Sequence, residues 1–171
     1  HNWQNIRRPN YQVIDLQTSI FQISALIKKA NRPVIIFGSG ARDSESRRLI
    51  DQFVAKNKIP ILTTWGGKDL VASQNSNLCG TFGTHGTRVG NFVVQNSDLV
   101  ISIGTRLSTK ETGTPVTDWA REAKIVMVDI DKYEIDKFEK LGKKIDIGVV
   151  SHSHVFLKLL NEIEIEENEF S

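Results

Sequence analysis

Two hydrophobic rhythms alternate along this chain. Short unbroken apolar runs stand at 34–37, within "IPILTTW", in "DLVISIG" (98–104), in "KIVMVDI" (124–130) and at the end of "KKIDIGVV". Between them, apolar residues recur every three or four positions. Ile20, Ile23, Leu26, Ile27 and Ala30 form one such stripe, and Leu49, Ile50, Phe53 and Val54 a second. Val89, Phe92 and Val93, then Tyr133, Ile135 and Phe138, then Val155, Phe156, Leu159, Leu160 and Ile163 form the rest. Runs of the first kind predict strands buried on both faces, and stripes of the second kind predict amphipathic helices. Start signals agree with this division. Thr18 or Ser19 can cap the first helix and Asp43 or Ser44 the second, while Asp131 with Glu134 has the form of a capping box. The segment 80–86 is read as a glycine-rich loop.

Buried strands alternating with helices imply an α/β fold: a doubly wound, mostly parallel sheet of five to six strands with helices on both faces. In such Rossmann-like sheets ligands lie outside the carboxyl ends of the strands, where the strand order reverses. The residues just past those ends are Gly38-Ser39-Gly40, Thr64-Trp65-Gly66, Gly104-Thr105-Arg106 and Asp129-Ile130-Asp131. Glycines, hydroxyls, an arginine and a carboxylate on one edge have the composition of a nucleotide crevice.

Composition narrows the function classes. A net charge of +2 is too small to argue for nucleic acid or a membrane surface as partner. No apolar run reaches the roughly 18 residues that would cross a bilayer. The single Cys79 excludes an internal disulfide and a multi-cysteine zinc module, which removes a sirtuin-type deacylase and fits a cytoplasmic location. His152 and His154 have no acid or cysteine beside them to complete a metal site. The chain starts at His1, and "HNWQNIRRPNYQV" reads as a linker. The expected organisation is therefore a linker over 1–17 from a preceding domain, one domain over 18–163, and an acidic tail over 164–171.

The motifs carry binding chemistry rather than catalytic chemistry. "GSGARD" has Gly-x-Gly but Asp43 where the dinucleotide fingerprint needs its third glycine. The second strand ends in Thr63-Thr64, where a nicotinamide-binding fold places an acid for the ribose. An NAD dehydrogenase is thereby disfavoured. Gly38 and Gly40 either cradle a ligand or simply permit a tight turn. His85 either meets a ligand or bonds its own backbone. Arg106 either faces an anion or forms an internal ion pair. No Ser/His/Asp set, carboxylate pair or cysteine nucleophile stands out, so no catalytic residue is assigned.

Taken in order, "RPVIIFGSGAR", "PILTTWGGKDLV", "GTFGTHGT", "NFVVQNSDLVISIGTRLS", the Thr-Gly of "KETG" and "AKIVMVDIDKYEI" resemble the central domain of thiamine diphosphate-dependent enzymes, most closely the acetolactate synthase-like branch. The likeness spans about residues 18 to 160. It implies a parent with three α/β domains, acting on a 2-oxo acid as carboligase or decarboxylase, transferase or lyase. The first domain of such enzymes supplies a glutamate to the aminopyrimidine. The third holds the diphosphate through Mg2+ with Gly-Asp-Gly, a motif absent from this sequence. The resemblance implies flanking pyrimidine- and diphosphate-binding domains as partners, a homodimeric or homotetrameric parent, and FAD in the central domain of the acetolactate synthases. Carried over by position, the cofactor-binding candidates are Gly38, Gly40, Ala41, Thr64, Trp65, Gly83, Thr84, His85, Arg106, Asp129 and Ile130. Two departures stand out. Thr84 replaces a methionine, and Arg106-Leu107-Ser108-Thr109-Lys110 replaces Arg-Phe-Asp-Asp-Arg. Lys110 keeps a positive charge but lacks the guanidinium fork. The alternative is a free-standing nucleotide-binding or electron-transfer flavin module on the same fold.

Overall fold

The computed structural model describes residues 16–165. The linker and the acidic tail expected from the sequence lie largely outside these residues. Six strands form one all-parallel sheet in the order β3-β2-β1-β4-β5-β6. They are β1 (Pro33–Phe37), β2 (Ile61–Thr63), β3 (Leu78–Thr81), β4 (Leu99–Ile103), β5 (Lys124–Asp129) and β6 (Ile147–Val150). The helices are α1 (Leu16–Lys29), α2 (Ser44–Lys56), α3 (Arg88–Asn96), the single turn α4 (Thr109–Thr112), α5 (Lys132–Lys140) and α6 (Ser153–Glu162). The order reverses between β1 and β4, as the doubly wound class requires.

Alternation along each strand divides the apolar residues between two cores. Ile35, Phe37, Ile61, Ile101, Ile103, Val126 and Val128 face α1, α2 and α6, where they meet Ile23, Phe53, Phe156 and Leu160. Val34, Ile36, Leu62, Val100, Ile125 and Met127 face the other way, towards Val94 of α3, Trp119 and Phe138 of α5. The central strands β1 and β4 are buried at every position, which is why they read as unbroken apolar runs.

Four local readings are corrected. Helix α1 starts at Leu16, so Ser19 is a buried residue inside it rather than a cap. Gly80 and Thr81, read as the start of a loop, belong to the edge strand β3, which pairs with β2. In α3 the inward residues are Gly90 and Val94, whereas Val89 and Phe92 are exposed. The cause is a close approach of helix and strand: a Cβ at Gly90 would lie 2.1 Å from the Thr81 carbonyl oxygen, so only glycine can stand there. Finally, Asp131 caps α5 by accepting from the Tyr133 N–H, but Glu134 does not close a box, because two cations hold it. Asp43 caps α2 as the sequence predicts, accepting from the N–H and hydroxyl of Ser46.

Candidate functional site

The parallel sheet brings all the strand exits to one edge, and each candidate residue acquires a definite partner there. At the switch point the turns after β1 and β4 touch. The Gly38 N–H donates to the Ile103 carbonyl at 3.0 Å and the Gly40 N–H to the Gly104 carbonyl at 2.8 Å. A Cβ on Gly38 would lie 2.4 Å from the Gly104 oxygen, and one on Gly40 2.9 Å from it. Gly38 has extended backbone (φ −112°), so the glycine requirement there is one of space, not of torsion. Ala41 is fully buried, with its N–H on the Gly38 carbonyl, and Ser153 donates its hydroxyl to the Gly40 carbonyl. Thr64 is buried with its N–H on the Phe37 carbonyl.

The loop after β3 is tied down equally well. The Asn91 side chain clamps Gly83 from both sides, accepting from its N–H at 2.8 Å and donating to its carbonyl at 3.1 Å. The Thr84 N–H donates to the Lys110 carbonyl at 2.7 Å. Thr87 caps α3 through the Gly90 N–H. Beyond this clamp, His85 is exposed and its ring lies 6.1 Å from that of Trp65, which is itself 67% exposed. The Lys68 ammonium stands 5.5 Å from the Trp65 ring centre. An indole, an imidazole and an ammonium thus form an open platform beside β2.

Arg106 has an internal partner. Its Nε donates to Glu134 Oε1 at 3.0 Å and its Nη2 lies 2.9 Å from the same oxygen. Lys137 binds the second oxygen of Glu134 and donates to the Arg106 carbonyl at 2.6 Å. Burial pushes the Glu134 carboxyl up, but the Lys137 hydrogen bond and the charges of Lys137 and Arg106 outweigh it, leaving Glu134 below its ordinary value. The Arg106 side chain is nevertheless 75% exposed, so this pair belongs to the weak surface class, on the order of 0–1 kcal/mol. Asp129, buried at the end of β5, accepts from the Asp131 N–H; burial raises its pKa. Ile130 is exposed beside it. Among the described residues, no group of three or more His, Cys, Asp and Glu is arranged to hold a metal ion.

Electrostatically the edge is dominated by cations that are already engaged. Asp69 receives Arg42 Nη2 at 2.9 Å and Arg47 Nη2 at 2.7 Å on one carboxylate oxygen. The Arg47 hydrogen bond, with Arg42 behind it, lowers the Asp69 pKa from 3.8 to about 2.

Comparison with known proteins decides the family. The family described as "Thiamine pyrophosphate enzyme, central domain" matches residues 20–160. The chain belongs to that family. This central domain is 35% identical over 133 residues to a probable acetolactate synthase large subunit of Methanococcus aeolicus, covering 78% of the chain and 21% of that protein. An acetolactate synthase large subunit of Cyanidium caldarium is 30% identical over 168 residues, 94% of the chain and 28% of the relative. A 3D-(3,5/4)-trihydroxycyclohexane-1,2-dione hydrolase of Listeria innocua is 33% identical over 132 residues, 75% of the chain and 20% of the relative. The central domain thus spans between a fifth and somewhat over a quarter of the length of the curated relatives it matches.

Sequence reasoning missed four residues that shape this edge. Asn91, Glu134, Lys68 and Asp69 are ordinary polar residues inside the quoted strings, and none was singled out there as part of a site. Glu134 alone carried a signal, the spacing to Asp131, and that signal pointed to capping.

Proposed function

We propose that this chain is the central domain of a longer thiamine diphosphate-dependent enzyme that joins or decarboxylates 2-oxo acids. The ordered family match over nearly all the described residues, in relatives several times longer, carries this reading. Thiamine diphosphate, when bound, supplies the electron sink that such a decarboxylation needs. The residues present do not fit it: Gly-Asp-Gly is absent from the sequence, and no metal-holding cluster exists among the described residues. Cofactor and Mg2+ therefore belong to flanking domains, and this domain supplies scaffold and surface. The Listeria relative is named for a hydrolytic reaction, so the central domain does not by itself select the chemistry.

The carboxyl edge supports weak binding of FAD or an adenine nucleotide. Trp65 offers an exposed ring, with the His85 ring beside it at 51°, and Arg106 offers charge to a diphosphate. The backbone offers less, because the N–H groups of Gly38, Gly40, Gly83 and Thr84 all donate within the chain. A ligand must instead take Arg106 from Glu134, a contest that two phosphate charges win against one carboxylate that Lys137 also holds. Affinity in the high-micromolar range, about 5 kcal/mol, is expected.

Titration of FAD into the protein, followed by flavin fluorescence, tests the edge. Arg106→Ala should weaken binding severalfold. Nanomolar affinity, or binding indifferent to Arg106→Ala, would overturn this assignment of the site. Pyruvate turnover by this chain alone, with thiamine diphosphate and Mg2+ added, would overturn the division of labour.

A further inference from the structure

Lys143 carries a buried charge that no carboxylate meets at contact distance. It is 8% exposed, and a lysine this deep is normally ion-paired. Its ammonium donates instead to two neutral acceptors, the carbonyls of Trp119 at 2.7 Å and Ala120 at 3.0 Å. An ammonium has three donors. The third has no acceptor among the described residues. Burial lowers the Lys143 pKa, and the charge of Asp146 opposes that fall only in part. Both Asp146 oxygens are already taken, one by the Ile125 N–H at 2.9 Å and the other by Lys144 at 2.7 Å.

A helix end sets up this arrangement. α5 stops at Lys140, Gly142 takes a φ of +76°, and the Lys143 N–H returns to the Phe138 carbonyl. The reversal directs Lys143 onto the loop that precedes β5. Between that loop and the 142–146 turn lies an open cavity of about 380 Å³. Arg121, Lys124, Lys143 and Lys144 line it, together with Glu122 and Asp146. The lining therefore carries an excess of positive charge, and Asp146 is spent within the chain. Arg121 is exposed and its guanidinium has no partner among the described residues. The Lys144 N–H has no acceptor among them either. Ligand sites span roughly 300–1,000 Å³ and are mostly apolar, so this small, charged one suits a compact anion.

We propose that this cavity binds a phosphate group, at a site separate from the carboxyl edge. Two planar donors of Arg121 match two phosphate oxygens, which a single-point cation cannot do. Lys143 contributes a charge whose position is fixed by Trp119 and Ala120 before any ligand arrives, so no side-chain ordering opposes its use. Glu122 repels the ligand, and a dianion overcomes that repulsion better than a monoanion does. The site lies where β5 and β6 begin, since Lys124 opens β5 and Asp146 directly precedes β6. Arg106 and Asp129 stand at the opposite ends of the strands, roughly 16 Å away along β5 at ~3.3 Å per residue. Nothing in the proposal depends on the thiamine reading or on nucleotide binding at that other edge.

The test is a titration of inorganic phosphate into the isotope-labelled protein, followed by amide NMR shifts, with chloride at matched ionic strength as the reference. Amides of residues 121–124 and 142–146 should shift and saturate with phosphate and not with chloride. Arg121→Ala should weaken that response by about fivefold, as the loss of a charged donor implies. Glu122→Gln should strengthen it, and Arg106→Ala should leave it unchanged. Arg121 and Glu122 are both exposed, so neither variant puts folding at risk, and Lys143 is left in place because it holds the loop. Adenosine monophosphate and adenosine distinguish the sources of the group. The same amide response with the monophosphate assigns the site to a phosphate ester, and a response to phosphate alone assigns it to the free ion. A response to adenosine, equal shifts with chloride, or an Arg121→Ala titration that coincides with the parent's would each overturn the proposal.

Discussion

Gly40 and Gly104 meet backbone to backbone at the switch point of the sheet, the amide of one on the carbonyl of the other at 2.8 Å. A side chain at position 40 would have to displace the exit of β4, since its Cβ alone falls 2.9 Å from the Gly104 oxygen and 3.0 Å from its Cα. Overpacking of this kind costs about 1–3 kcal/mol. Gly40→Val should lower the melting temperature by several degrees, whereas the exposed Lys28→Arg should leave it unchanged. Coincident melting curves would show that the two turns can part without cost.

Releasing Arg106 should strengthen anion binding. Glu134→Gln removes the carboxylate that holds the guanidinium, and a pair whose arginine is 75% exposed contributes about 1 kcal/mol at most. Affinity for ADP or FAD should then rise by up to roughly fivefold, and the gain should shrink as salt is added. A fall in affinity would mean that Glu134 positions Arg106 for the ligand rather than competing with it.

The Asp69 cluster predicts a pH dependence with a definite sign. Its pKa in the folded protein, about 2, lies below the ordinary 3.8, so its contribution to stability is present above pH 3.8 and is lost as pH falls towards 2. Asp69→Asn should therefore be less stable than the parent at pH 7, with the difference disappearing between pH 4 and pH 2. Thermal melts of both proteins across that window make the check, and a difference that persisted at pH 2 would contradict the assignment.

Lys143 is buried and donates to the carbonyls of Trp119 (2.7 Å) and Ala120 (3.0 Å), so it closes the chain reversal before β5. Ala120 has a positive φ of 43°, and its N–H is held by the Gln95 side chain. Lys143→Met keeps the apolar stem but strands two carbonyls, at a cost of about 1–3 kcal/mol. Lys143→Ala should cost more, because packing is lost as well. Denaturant unfolding of the pair separates the two contributions.

The legible parts of the fold are those where one physical demand dominates. β1, β4 and β5 are apolar at nearly every position because both faces are covered, and an element with one face in water cannot carry such a run. β3 was missed because "LCGT" offers one large apolar residue and a glycine, and its pairing comes from β2 rather than from its own composition. Of the α3 stripe, Val93 packs against the core but Val89 and Phe92 face solvent, because the contact of Gly90 with Thr81 sets the approach of the helix. At the site, the strand-exit residues converge as the parallel pattern requires. Their partners were not legible: Glu134 reaches Arg106 across 28 residues, and Asn91, though it opens one of the quoted strings, gives no sign there that its side chain secures Gly83.

The irregularity of β3 protects the molecule. A sheet with six strands has two open margins, and an exposed margin invites strands of other molecules to add to it. β3 is four residues long, its register against β2 shifts between Ile61 and Leu62, and Gly80 sits at φ +108°, outside the range of an ordinary strand. A margin bent in this way offers no straight ladder of donors and acceptors. The glycine that disguised this strand in the sequence also makes it a poor template for aggregation.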